Sequence, residues 1–244
     1  MSNDIFWKRS VPGDVNIQFP ALQPACFVVR ENRFRVKIQL GNYCASAHLA
    51  NPGRLQELLV PGAEVWVSKA RNPKRRTQFS LELVKADNAL VSVNSLIPNA
   101  LVDNALKNYQ FPDMPDYINY RREMPFGHSR IDFCVSHKTT LTWLEVKSVT
   151  LVRQSIAAFP DAPTQRGKRH LLELISAVEN GARSTVAFII QRGDATAFTP
   201  NDTTDPEFGR LLRKASETGI EIIAMGCTVT TKKITLHHIL PVKL

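Results

Sequence analysis

Ser129-Arg130-Ile131-Asp132-Phe133-Cys134-Val135-Ser136 and, after a short polar break, Leu141-Thr142-Trp143-Leu144-Glu145-Val146-Lys147-Ser148 decide the reading of this chain. Both segments are rich in β-branched and aromatic residues and read as strands, with His137-Lys138-Thr139-Thr140 as the hairpin turn between them. Side chains alternate along a strand, so Glu145 and Lys147 share one face and Val146 takes the other. With Lys138-Thr139 as a two-residue turn, His137 pairs with Thr140 and Asp132 falls opposite Glu145. A register shifted by two positions keeps the same face. The hairpin therefore gathers an aspartate, a glutamate and a lysine into one patch. Adjacent carboxylates repel and are tolerated mainly where a cation or a shared proton offsets the repulsion. Hard oxygen ligands suit Mg²⁺ or Mn²⁺, ions that polarise a phosphoryl oxygen, and the lysine is placed to stabilise a hydroxide nucleophile or charge developing on phosphate. Taken alone, the same residues fit a solvated surface hairpin, because motifs this short recur by accident.

The 244 residues suffice for one large domain or two small ones, and 43% hydrophobic with 22% charged residues is ordinary for a soluble globular chain. No apolar run approaches the roughly 18–20 residues that cross a bilayer. The amino terminus, with Asp4 and Lys8, does not read as a secretory signal. Cys26, Cys44, Cys134 and Cys227 stand far apart in apolar, strand-like settings and form no Cys-x-x-Cys pair. Buried free thiols in a reducing cytoplasm are the expectation. A net charge of +9 and a pI near 9.6 favour a polyanionic partner over a membrane. Nothing in the chain decides against a homo-oligomer.

Residues 1–25, with Pro12, Pro20 and Pro24, lack periodicity and read as an irregular arm. Five short strands follow, within 26–30, 34–40, 43–49, 64–69 and 77–85, with a turn and a short helix at 51–59. That pattern suggests a small closed sheet of the OB type for residues 26–86. Arg71-Asn72-Pro73-Lys74-Arg75-Arg76 is a basic loop between its last two strands, either a solvated loop or a clamp on nucleic-acid phosphates through Arg71, Lys74, Arg75 and Arg76. Arg54 is a further candidate phosphate contact. The change of domain is expected near Asp87-Asn88. Residues 87–244 then run helix, three strands, helix, buried strand, helix and two strands, the order of a restriction-endonuclease-like α/β core.

Asp132 followed by Glu145-Val146-Lys147 resembles the core motif of the PD-(D/E)xK nuclease superfamily, with Ile131 in place of the proline in its name. The runs Ser129-Arg130-Ile131-Asp132-Phe133, Glu145-Val146-Lys147-Ser148-Val149-Thr150-Leu151 and Phe159-Pro160-Asp161-Ala162-Pro163-Thr164-Gln165-Arg166-Gly167 resemble one family within it, sugar fermentation stimulation protein A. The resemblance runs from about Phe27 to the end of the chain. It implies an OB-like module and a Mg²⁺- or Mn²⁺-dependent phosphodiesterase (nuclease) acting on nucleic acid, DNA first. In that reading Asp132, Glu145 and Lys147 carry the chemistry. The metal takes Asp132, Glu145, the Val146 carbonyl and Glu123, with Asp103 on the preceding helix as a rival to Glu123. Arg166 and His170 lie one helical turn apart and are similar to a helix motif of some such nucleases. Arg166 would bind phosphate bidentately, and His170 would orient Glu145, shuttle a proton or fill polar space over the sheet. Asp161 and Thr164 are expected to cap that helix, with metal contact the alternative for Asp161. The family's name also implies a second function, a non-catalytic, nonspecific DNA-binding regulator of sugar (maltose) metabolism genes. Nothing in the chain excludes a third function, an RNA-processing or RNA-binding factor.

Overall fold

The computed structural model describes residues 13–70, 72, 74–114 and 116–244. The lead-in is less irregular than its prolines suggest. β1 (Asn16–Gln18) pairs with the chain's last strand, and β2 (Leu22–Asn32) already runs against β5 from Leu22 onward. Pro24 is accommodated within that strand, so the ordered sheet begins before Cys26. β3 (Arg35–Leu40), β4 (Tyr43–His48), β5 (Glu64–Lys69) and β6 (Phe79–Ala86) complete a barrel in the order β4-β3-β2-β5-β6. A short parallel bridge, Ala47 to Phe79 and His48 to Ser80, closes it. Alternate residues such as Phe27, Val36, Ile38, Val65, Val67 and Leu81 fill the interior, as the two-residue period of a closed sheet requires.

Two expectations fail here. Asp87-Asn88 is not the change of domain; it is a hairpin turn, with Asp87 at φ +49°, that leads β6 into β7 (Ala89–Ser92) on the same sheet. Residues 54–59 form a turn rather than a helix. The Arg30 guanidinium takes the carbonyls of Asn51 (3.1 Å), Gly53 (2.7 Å) and Arg54 (2.7 Å), which a helix would need as acceptors. Leu55, at φ +52°, completes the break.

The second half is built on α1 (Ile97–Lys107), β8 (Asn119–Phe126), β9 (Ser129–Ser136), β10 (Leu141–Val149), β11 (Val152–Arg153), β12 (Ile156–Phe159), α2 (Gln165–Glu179), β13 (Arg183–Ile190), β14 (Ala197–Pro200), α3 (Pro206–Glu217), β15 (Glu221–Val229) and β16 (Lys233–Leu240). Seven strands form one sheet in the order β1-β16-β15-β13-β10-β9-β8, parallel through β10, β13 and β15 and antiparallel at both margins. α1 packs on one face with Leu101, Val102 and Leu106 against Phe133, Val146 and Met225. α2 and α3 cover the other, with Leu171, Leu174 and Phe208 against Phe188 and Ala224. Covered on both faces, β13 is apolar and buried almost throughout, as a central parallel strand must be. β11, β12 and β14 make a separate small sheet that the sequence does not announce, since two- to four-residue strands are too short for a period. Of the four free cysteines, Cys134 and Cys227 are buried, but Cys26 and Cys44 lie exposed on the barrel.

The start of α2 is held with care. Thr164 caps it, accepting the Gly167 N–H at 3.0 Å, and its own N–H donates to Asp205 (2.9 Å), the cap of α3. A Cβ at Gly167 would lie 2.8 Å from Thr164 and 3.3 Å from Phe208, so only glycine admits this close helix contact.

Candidate active site

The hairpin register is the one that alternation predicts. His137 N–H donates to the Thr140 carbonyl (2.9 Å) and Leu144 pairs with Phe133, which sets Glu145 across from Asp132. There the backbone ladder between β9 and β10 ends. The Asp132 carboxylate takes over, accepting the Val146 N–H through Oδ2 at 2.8 Å. Asn99, in the first turn of α1, donates to Oδ1 at 2.8 Å. Beyond this splayed pair lies a cleft of about 520 Å³ lined by Asp132, Glu145, Val146 and Lys147, by Arg33 and the 51–53 turn of the barrel, and by the lead-in to α2.

Glu145 is 3% exposed and Lys147 8%. Lys147 Nζ donates to Glu145 Oε1 at 2.5 Å. Arg166 Nε donates to His170 Nε2 at 3.3 Å, which leaves the ring proton on Nδ1, donated to the same Glu145 oxygen. Burial opposes the Glu145 charge, but the Lys147 ammonium and the His170 hydrogen bond outweigh it and hold the carboxyl down at about 2. Asp132 goes the other way: burial, then the Glu145 charge, push it up to about 6 against the opposing Val146 N–H, Lys147 and Asn99. Neighbouring carboxylates in a cleft whose pKa values are pulled apart by burial and a specific charge partner make a candidate functional site. Glu145 Oε2 is buried with no hydrogen-bond partner.

Glu123 lines the same cleft from β8. The β8–β9 ladder pairs Arg122 with Phe133 and Met124 with Ile131 but skips Glu123, which stands opposite Asp132 at φ +51°. Left-handed backbone inside a strand is a strained arrangement for glutamate. Even so, no three His, Cys, Asp or Glu side chains converge as a metal-binding group among the described residues. The structure thus brings together Asp132, Glu145 and Lys147, and leaves Glu123 at the rim. Asp103 is elsewhere, bound to Lys107 (2.7 Å) and to the Tyr120 hydroxyl (2.8 Å). Asp161 does not cap α2; its Oδ2 accepts the Leu55 N–H at 3.2 Å, tying the barrel's turn to the core.

The basic residues divide. Arg166 reaches the cleft. Arg54 is exposed but does not line it. Arg75 is folded back on its own loop, donating to the carbonyls of Thr77 (2.9 Å) and Phe79 (2.5 Å). Lys74 and Arg76 are exposed and away from the cleft lining, and Arg71 lies outside the described residues. Sequence reading missed Asn99 and Arg33. For Asn99 one signal existed, an amide in a helical first turn that has no capping duty.

A closed OB barrel joined to a restriction-endonuclease-like α/β core, with paired acids at the end of a splayed strand pair, defines the class. The chain belongs to the sugar fermentation stimulation protein family. The family description "Sugar fermentation stimulation protein RE domain" matches residues 96–233, and "SfsA N-terminal OB domain" matches residues 28–93. A sugar fermentation stimulation protein homolog of Desulforamulus reducens is 42% identical over 95% of this chain and 96% of its own. One of Chloroflexus aggregans is 43% identical over 93% and 89%. The solved structure of Pyrococcus furiosus SfsA in complex with Ca²⁺ superimposes with a TM-score of 0.86 at 26% identity, covering 93% of this chain and 98% of the other.

Proposed function

We propose that this protein hydrolyses phosphodiester bonds of nucleic acid, DNA first, with Mg²⁺ or Mn²⁺ held between Asp132 and Glu145. The observation that carries the reading is Glu145 Oε2, a buried, ionised oxygen with no partner beside a second buried carboxylate. An unsatisfied buried acceptor costs about 1–3 kcal/mol, more when charged, and a cation would remove that cost. The donor set fits the ion, because Mg²⁺ is commonly held by one or two carboxylates plus water and substrate phosphate rather than by a full protein cage. The Ca²⁺ in the Pyrococcus furiosus relative supports a divalent site in this fold.

Asp132 and Glu145 would hold the ion, with the Val146 carbonyl as a third oxygen and Glu123 available from the rim. When bound, the ion supplies Lewis-acid polarisation of the phosphoryl oxygen. Lys147 keeps Glu145 ionised and offers its remaining N–H groups to the attacking water. Arg166, with Nε committed to His170, has both terminal nitrogens for the scissile phosphate. His170 is a positioning residue that fixes Glu145. Arg54, Lys74 and Arg76 add a weaker, salt-sensitive grip. Among the described residues no helix is long and apolar enough to cross a membrane. We place the protein in the cytoplasm, where its free thiols persist.

The test is incubation of purified protein with plasmid, linear duplex, single-stranded DNA and RNA in Mn²⁺ or Mg²⁺. Cleavage abolished by EDTA and by Glu145→Ala is expected. A Glu145→Ala protein that cuts as well as the parent overturns the assignment, and salt-sensitive binding without cleavage under either metal leaves a non-catalytic DNA-binding protein.

A further inference from the structure

A second cavity, of about 530 Å³, opens beside the first on the far side of Glu123 and Arg166, which line both. Arg130, Arg166 and Arg169 line it, and Glu123 is the one carboxylate among the residues lining it. No acid lies within ion-pair distance of the three arginines among the described residues. The walls are fixed. Arg166 and Arg169 share one face of α2 at a spacing of three. Arg169 Nε donates to Ser129 Oγ at 3.0 Å, and Glu173, one turn further on, accepts the His128 N–H at 3.0 Å. Both bonds pin the tip of the β8–β9 hairpin to α2. Three guanidinium groups without an acidic partner on one concave wall, next to a site for a phosphodiester, have the chemistry of a phosphate cradle.

We propose that this cavity binds the backbone phosphate adjacent to the scissile one, so that the nucleic acid runs from Arg33 at the barrel, over Asp132 and Glu145, to Arg130 and Arg169. The assignment deepens the nuclease reading and rests on it for the position of the scissile phosphate. It places the main grip on this face rather than on the loop around Lys74 and Arg76.

The experiment is fluorescence anisotropy with a labelled single-stranded oligonucleotide, the full chain and EDTA throughout, titrated at several salt concentrations. Loss of the contact to that one phosphate lowers the slope of log K against log salt by about 0.7, the value per phosphate on a single strand. Arg130→Ala/Arg169→Ala is expected to show that fall, Arg130→Lys/Arg169→Lys to regain the parent slope, and Lys74→Ala/Arg76→Ala to show less. A double alanine variant with the parent's slope overturns the cradle. So does a lysine variant that loses as much as alanine, since the loss would then be one of shape. Failure of the nuclease reading is separate: a parent that never cleaves, yet loses slope at Arg130 and Arg169, keeps the phosphate cavity and discards the chemistry.

Discussion

Asp132→Asn should make the metal-free protein more stable. The carboxylate is 9% exposed and faces Glu145, and burial with that neighbouring charge raises its pKa from 3.8 to about 6. An acid that binds its proton more tightly folded than unfolded stabilises the fold when protonated. The contribution is full below the unfolded pKa and is lost as pH rises through the folded one. The gap corresponds to about 3 kcal/mol of destabilisation by about pH 7.5, shrinking to about 1 kcal/mol near about pH 4.5. Asparagine removes the titration and keeps the shape. Its oxygen accepts the Val146 N–H, and the Asn99 amide, turned over, offers an oxygen to its Nδ2. Urea denaturation in EDTA is the assay, read as the free energy extrapolated to water. The variant should exceed the parent by up to about 3 kcal/mol at about pH 7.5, with the advantage down to about 1 kcal/mol at about pH 4.5. Mn²⁺ should close the difference from the other side, since an ion at a hundred times its Kd adds about 2.7 kcal/mol to the parent and little to the variant. An asparagine variant less stable than the parent in EDTA at neutral pH would refute the reasoning. Asp132 would then be a structural acceptor, not a charge retained for chemistry.

Glu145→Ala should abolish cleavage and cost about 3–5 kcal/mol of stability, because Lys147 is left as a buried cation without its partner; Glu145→Ala combined with Lys147→Met should recover much of the stability, by urea titration, and none of the activity. His170→Ala should lower cleavage about 10–100-fold, the range for residues that orient a metal ligand, with kcat rather than KM carrying the loss. Gly53→Ala should destabilise, since a Cβ there would sit 2.5 Å from Asp161 Oδ2 and 2.9 Å from Asn51 Oδ1. In an Asp161→Ala background its cost, by double-mutant cycle, should fall by about 0.5–3 kcal/mol, the range for side chains in contact.

What the chain discloses follows the range of the interactions involved. The β9–β10 register and the shared face of Asp132, Glu145 and Lys147 depend on a two-residue period and one turn, all within twenty residues, and they are legible. So are α1, α2 and α3, through apolar periodicity, a proline at the start of α1 and α3, and glycines after α2 and α3. The missed parts depend on partners far away in the chain. β1 exists because β16 offers it an edge 215 or more residues later in the sequence. The turn at 51–55 is shaped by Arg30 and Asp161, and Asn99 matters only because α1 lands beside the splayed strands. The charge of Glu123 is legible in the sequence, yet its left-handed backbone has no local cause in Arg-Glu-Met.

The barrel is more than a tether. Ser92, at the end of β7, donates two hydrogen bonds to Gln191, from its N–H to the Gln191 carbonyl and from Oγ to Oε1, both 3.0 Å, and the Gln191 amide donates onward to Ser148 Oγ at 2.9 Å. Ser148 follows Lys147 and lines the same cleft. Asn51 donates to the carbonyl of the residue after Ser92, Val93, at 2.9 Å, which ties the turn to this seam, and a second link runs from the Leu55 N–H to Asp161. Gln191 is fully buried, so each of its polar atoms must be satisfied by protein, and the link is stiff. Two separate seams therefore fix the turn that carries Gly53 against the strand that carries Glu145. A nucleic acid gripped by the barrel alone would still have to find the acids. With the barrel's turn forming one wall of the cleft, the proposed nuclease would grip and place the phosphate in a single event, its orientation set before the substrate arrives.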